Sequence, residues 1–158
     1  MPRRRKAREV ALQMLFQVDL NPDLEMKTVA EQIREQIDDH DLAAMARGLF
    51  AGVVQHRVEL DERLERQAEN WSVRRMAAVD RNVLRLGLYE LQHTDTPPRV
   101  VIDEAIELAK KYGDKGSGRF VNGLLDRLVP GRPASPSVAA PGGDHPAADD
   151  VATPENES

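Results

Sequence analysis

A chain of 158 residues with a formal net charge of −5 is long enough for one domain of ordinary size with a real core. It contains no cysteine, which excludes disulfides, thiolate catalysis and cysteine-based zinc sites together. No apolar run approaches the length of a membrane span, and Glu9, Gln13, Gln17 and Asp19 interrupt every stretch that could serve as a signal-peptide core, so a soluble cytoplasmic protein is expected.

The first twenty residues carry the strongest signal. Arg3, Arg4, Arg5, Lys6 and Arg8 meet no acid before Glu9, although the chain as a whole is acidic. Cations concentrated on an acidic body point to a polyanion, because each one set against a phosphate releases condensed counterions. The same segment has helical periodicity. Ala7, Val10, Ala11, Met14, Leu15 and Val18 form a continuous apolar stripe. Phe16 projects about 170° from the centre of that stripe, in line with Arg5, Glu9 and Leu12. Two readings of this ring stand side by side: a second layer of helices covers it, or it is a stacking platform for an unpaired base beside guanidinium groups.

Asn21-Pro22-Asp23 ends this helix, and a second is expected from Met26 to Ile37 with Val29, Ala30 and Ile33 inward. Asp39 to Asp41 offer N-caps for a third, whose apolar face is Leu42, Met45, Ala46, Leu49, Phe50 and Val53. A fourth runs from Val58 to about Ala68, with Leu60 and Leu64 inward, and Ser72 can cap the segment after Trp71. From Val79 to Leu91 apolar residues cover about half the helical wheel, while Arg81, Asn82, Arg85 and Tyr89 share the other half. Glu90 breaks the pattern by falling in the apolar sector. A carboxylate there calls for an arginine or lysine from a neighbouring helix, or for water at the helix end.

Thr96-Pro97-Pro98 leads into a helix from Val100 to Tyr112, with Val101, Ala105, Leu108, Ala109 and Tyr112 inward and a Glu107/Lys111 pair outside. Gly113 is the expected stop. Ser117 is the expected N-cap of a last helix whose core residues are Val121, Leu124, Leu125 and Leu128. Lys115, Arg119 and Phe120 sit at its start, a second aromatic beside a second basic site. The fold expected is all-α, about seven helices in two packed halves, with no convincing strand. Residues 1–130 form the helical domain. Residues 131–158, rich in Pro, Ala, Gly and Asp, read as a disordered acidic tail whose removal leaves the domain close to neutral.

No reaction chemistry is legible. His40, His56, His93 and His145 lack metal-ligand spacing, so neither a metal nor any other cofactor is expected. The loop Gly113-Asp-Lys-Gly-Ser-Gly lacks the spacing and the preceding strand of a nucleotide loop, though its amides could meet an RNA phosphate. Ser117 has no base placed to activate it.

Four collinear blocks carry a resemblance. They are Arg-Arg-Lys-Ala-Arg-Glu-Val-Ala-Leu-Gln-Met-Leu-Phe-Gln at 4–17, Val-Asp-Arg-Asn-Val-Leu-Arg-Leu-Gly-Leu-Tyr-Glu-Leu at 79–91, Val-Val-Ile-Asp-Glu-Ala-Ile-Glu-Leu-Ala-Lys-Lys-Tyr-Gly at 100–113, and Phe-Val-Asn-Gly-Leu-Leu-Asp at 120–126. In these the chain resembles the NusB family of transcription antitermination factors. The resemblance implies a protein that binds single-stranded boxA RNA of ribosomal transcripts together with the ribosomal protein NusE, joins the RNA polymerase antitermination complex and suppresses premature termination. By that analogy Arg3, Arg4, Arg5, Lys6, Arg8, Phe16, Lys115, Arg119 and Phe120 would contact RNA. Asp80, Arg81, Arg85 and Tyr89 would meet NusE. A homodimer is also compatible with it, and Gly116 stands where some relatives carry an acid just ahead of the serine. The same domain is similar to the N-terminal part of some ribosomal RNA cytosine methyltransferases, which gives an enzyme-class alternative, and a helical protein-interaction module is a third.

Overall fold

In the computed structural model, residues 2–69, 71–131 and 138–139 are described. Seven α-helices stand among them: α1 Pro2–Leu20, α2 Met26–Gln36, α3 His40–Gln55, α4 Arg57–Gln67, α5 Ala78–His93, α6 Pro98–Tyr112 and α7 Ser117–Asp126. A 3-10 turn at Val73–Arg75 precedes α5. The periodicities of the sequence translate directly into packing. The α1 stripe Ala7, Val10, Ala11, Met14 and Leu15 is buried, as are Val29 and Ile33 of α2 and Ala46, Leu49, Phe50 and Val53 of α3. These three helices make one half, and α5, α6 and α7 make the other. Helix α5 belongs to both, because it also packs on α1, α3 and α4. That central place explains why so much of its wheel is apolar.

Two short strands, β1 Ala68–Glu69 and β2 Val138–Ala139, pair in parallel, Ala68 opposite Val138. Apart from Gly131, the rest of the proposed acidic tail lies outside the described residues.

Local chemistry fixes two helix ends as the sequence suggests. Asp39 caps α3 by accepting the Leu42 N–H at 3.0 Å. Gly113 follows α6 and donates its N–H to the Ala109 carbonyl. Three details differ. Gly116, not Ser117, is the N-cap of α7, and the Ser117 hydroxyl turns inward to accept the Asp114 N–H at 3.0 Å. Tyr112 is exposed rather than inward, because it stands at the last residue of α6, where the core has ended. Lys111 reaches across to Glu9 at 2.8 Å instead of pairing along its own helix with Glu107.

Candidate nucleic-acid interface

The basic run occupies the first turns of α1, and helical geometry distributes its members over different sides. Arg8 is carried inward beside Ala7 and Ala11. It is fully buried, and its guanidinium grips Glu90 of α5 through two bonds, Nε to Oε2 at 2.7 Å and Nη2 to Oε1 at 2.8 Å. The cationic partner that Glu90 requires is therefore Arg8, and Arg8 is not an RNA contact. Burial opposes its charge, yet the Glu90 hydrogen bonds outweigh that and hold the guanidinium pKa above its ordinary value.

Arg5 points to α6 and binds Glu104 in the same two-pronged way, both bonds 2.9 Å. The Arg5 hydrogen bond in turn holds the Glu104 carboxyl below the usual carboxylate range. Arg3 is exposed and bonds Asp39, the α3 cap, at 2.7 Å. Arg4 and Lys6 are exposed and form no ion pair among the described residues. Lys6 shares its face of α1 with Gln13 and Gln17, at i, i+7 and i+11. Lys6 thus stands at the head of a polar stripe, whereas Arg4 lies about 160° away on the wheel and lines a groove with Met45, Tyr89 and Val100.

That stripe leads to Phe16. The Arg5–Glu104 and Glu9–Lys111 pairs lay α6 alongside α1, so Leu12, on the Phe16 side of the wheel, is buried. The cover ends one turn later. Phe16 is half-buried and, with Leu12, Gln13, Gln17, Val79 and Tyr112, lines a half-open cleft of about 380 Å³. The Lys111 amine stands 5.3 Å from the centre of the Tyr112 ring. A second layer thus covers Leu12 on this face, whereas the Phe16 ring is left half-buried at the cleft. Two rings and two amides around one cleft suit the flat face of a base.

At the start of α7, Lys115 and Arg119 are exposed, and Gly118 abuts Ile106 and Lys110 of α6. Phe120 is 4% exposed and packs in the core, so it offers no stacking surface. The reason is geometric: Phe120, Val121, Leu124 and Leu125 fall on one side of α7. The two basic helix starts flank α6 on different sides. Its exposed strip between them carries Asp103 and Glu107 as well as Lys110.

The residues expected to meet a protein partner are largely enclosed. Asp80 is buried and accepts from the Ser117 hydroxyl, while its Oδ1 has no hydrogen-bond partner. Burial raises its pKa, the Ser117 bond lowers it, and nearby Asp114 raises it further. Arg85 is buried between Asp61 of α4, at 2.8 and 3.0 Å, and Asn82. Arg81 bonds Asp19 at 3.0 Å and the Met76 carbonyl. The half of α5 read as outer is covered by α4 and by the end of α1, which enclose Arg85, while Asp80 is enclosed against Ser117 of α7. Tyr89 lies over Gly52 of α3, where a methyl group would overlap its ring. Sequence reasoning missed Glu104 and Tyr112. Glu104 had a signal, since it falls in the apolar sector of α6 between Val101 and Leu108 just as Glu90 does in α5.

Comparison with known proteins decides the family, for the NusB family model matches residues 5–130. The chain belongs to the NusB family. It is similar to the transcription antitermination protein NusB of Anaeromyxobacter dehalogenans, 46% identical over 83% of this chain and 93% of that protein. The corresponding protein of Sorangium cellulosum is 46% identical over 82% of this chain and 93% of its own length. Among solved structures, T. maritima NusB superimposes with a TM-score of 0.72 at 40% identity, covering 80% of this chain and 89% of that one. A crystal structure of antitermination factors NusB and NusE in complex with dsRNA gives a TM-score of 0.74 at 33% identity, over 82% of this chain and 97% of that one.

Proposed function

We propose that this chain is a transcription antitermination factor that binds boxA-type single-stranded RNA along the outer face of α1, in concert with the NusE ribosomal protein, within the RNA polymerase antitermination complex. It acts as an adaptor in the cytoplasm and carries no reaction of its own. One observation carries the reading: Lys6, which forms no ion pair among the described residues, heads a polar stripe of Gln13 and Gln17 that ends in the cleft of Phe16 and Tyr112. Ten residues of helix separate Lys6 from Phe16, about 15 Å. A strand laid along this face of α1 sets a phosphate on Lys6 and stacks a base at the cleft. Lys115 and Arg119 extend the charge toward NusE, and Arg81 and Tyr89, the less enclosed pair on α5, serve the protein contact. No helix is long and apolar enough to cross a membrane among the described residues. The helical domain, residues 1–130, holds every residue assigned to this role; residues 131–158 are not needed for it, although Val138–Ala139 pair with β1.

Titration of a boxA-like single strand, a scrambled strand and a duplex, each with and without NusE, tests the proposal. The boxA strand should bind best and tighten when NusE is present, by a coupling of about 1–3 kcal/mol. Arg4→Ala with Lys6→Ala should flatten the log–log salt slope by up to about 0.7 per lost phosphate contact. Duplex preferred over single strand, or no response to NusE, would defeat it.

A further inference from the structure

Outside the RNA face, the fold gathers three metal-ligating side chains that the sequence keeps apart. His56 stands at the corner between α3 and α4, Glu59 lies in the first turn of α4, and His93 ends α5. A ligand atom from each of the three lies within 4.8 Å of the other two. The imidazole rings of His56 and His93 are 4.2 Å apart, and Tyr89, one turn before His93, stacks on His93 at 5.1 Å. Donor separations in a tetrahedral zinc site are about 3.3 Å, given bonds of roughly 2.0–2.1 Å. His93 and Glu59 are exposed, so rotation of their side chains closes the difference.

His56 is already oriented. Its Nδ1 lies 2.9 Å from the Gly52 carbonyl oxygen. A carbonyl only accepts, so Nδ1 carries the proton and Nε2 of the neutral ring presents a lone pair. This is how metal-binding histidines are held by their surroundings: the second nitrogen is tied to a backbone acceptor and fixes tautomer and ring direction. Gly52 serves the same end by leaving room for Tyr89, whose ring lies 5.8 Å from His56 and limits its swing.

We propose that His56, Glu59 and His93 form a binding site for a divalent transition metal, with Zn²⁺ as the reference ion and the fourth position left to water or to a partner's side chain. Two imidazoles and one carboxylate select borderline ions such as Zn²⁺, Ni²⁺ and Cu²⁺ over Mg²⁺, which prefers oxygen donors and octahedral geometry. Bound metal would tie the α3–α4 corner to the end of α5.

Tag-free full-length protein is titrated calorimetrically with Zn²⁺, with Mg²⁺ as the hard-ion control, and the melting temperature is followed in parallel. One saturable Zn²⁺ equivalent is expected, with a rise in melting temperature because the ion binds the native state. His56→Ala and His93→Ala should each weaken binding at least tenfold, and Glu59→Gln by less. Co²⁺ in place of Zn²⁺ should give the visible absorption of a four-coordinate site, absent in His93→Ala. Because His93 and Glu59 are exposed, their variants stay folded, and circular dichroism verifies this. Equal Zn²⁺ affinity in the native protein and the His93→Ala and Glu59→Gln variants would overturn the proposal, as would parity between Zn²⁺ and Mg²⁺.

Discussion

The Arg8–Glu90 pair gives the most direct test of how the basic run divides between folding and binding. Both side chains are almost wholly inaccessible, at 2% and 3% exposure, and two short hydrogen bonds join them. Arg8→Met removes the cation and strands a buried carboxylate. Glu90→Leu strands a buried guanidinium. Breaking a buried pair from one side costs about 3–5 kcal/mol, because the surviving charge is neither hydrated nor compensated. For a domain of this size that lowers the melting temperature by roughly 10–20 °C. The double variant should recover most of the loss. Replacing both charges with apolar groups of similar volume is often neutral or stabilising, and Arg8 Nη1 has no hydrogen-bond partner even in the native arrangement, so the pair is incompletely satisfied.

Urea denaturation of the four proteins closes a double-mutant cycle, and the interaction energy should be roughly 3 kcal/mol or more. Titration of boxA-like RNA with the stable double variant is the second arm. If Arg8 is structural, affinity and salt slope match the native protein. An Arg8→Met variant that loses less than about 1 kcal/mol of stability yet no longer binds RNA would refute the reasoning, and Arg8 would return to the RNA face.

The two candidate rings should separate cleanly. Phe120→Ala should cost about 3–5 kcal/mol in a denaturant melt, as a buried Phe does. Phe16→Ala should cost far less stability but weaken RNA binding by roughly 1–3 kcal/mol; the reverse ranking would remove the cleft from the interface. Asp80 has a raised pKa in the folded state, so folding takes up a proton there. The stabilisation it adds is complete below the unfolded value of about 3.9 and is lost as pH rises through the folded value. Asp80→Asn should erase that slope, which parallel stability–pH curves for the two proteins would contradict. Glu104 has the opposite sign: its depressed pKa adds stability above about 4.3 that disappears as pH falls through the folded value. Arg5→Met should therefore move acid unfolding to higher pH, read by circular dichroism.

Helix positions were legible because their signals are local. Periodicity needs only neighbours at i+3 and i+4, and Asn21-Pro22, Thr96-Pro97-Pro98 and Gly113 punctuate it at the right places. The exceptions involve long-range contacts. Ser117 looked like a cap because serine is the common choice, but its hydroxyl has Asp114 and Asp80 to satisfy, and Asp80 comes from another helix. Arg85 reads as solvent-facing on its own wheel. The arrival of Asp61 from α4 and of Asp19 from α1 makes its burial tolerable.

The same distinction governs the site. A cluster of arginines announces a polyanion partner, but charge counted along a chain does not reveal which cations the fold has already neutralised. The sequence held the complementary clue in its acids: Glu90 and Glu104 occupy apolar sectors of α5 and α6, and each such carboxylate demands one cation from elsewhere. With Arg8 assigned to Glu90, Arg5 to Glu104 and Arg3 to Asp39, the charge left at the head of α1 is Arg4 and Lys6. The structural pairs also shape the proposed binding surface. By fixing α1 against α5 and α6 they set where the α6 cover ends, and so leave Phe16 and Tyr112 open beside a polar stripe. An arginine lost from the interior would then weaken RNA binding indirectly, through displacement of α1, with the salt slope unchanged. One lost from the surface would change the slope and leave stability alone. Reading slope and stability together on the same variant therefore assigns each cation to one role or the other.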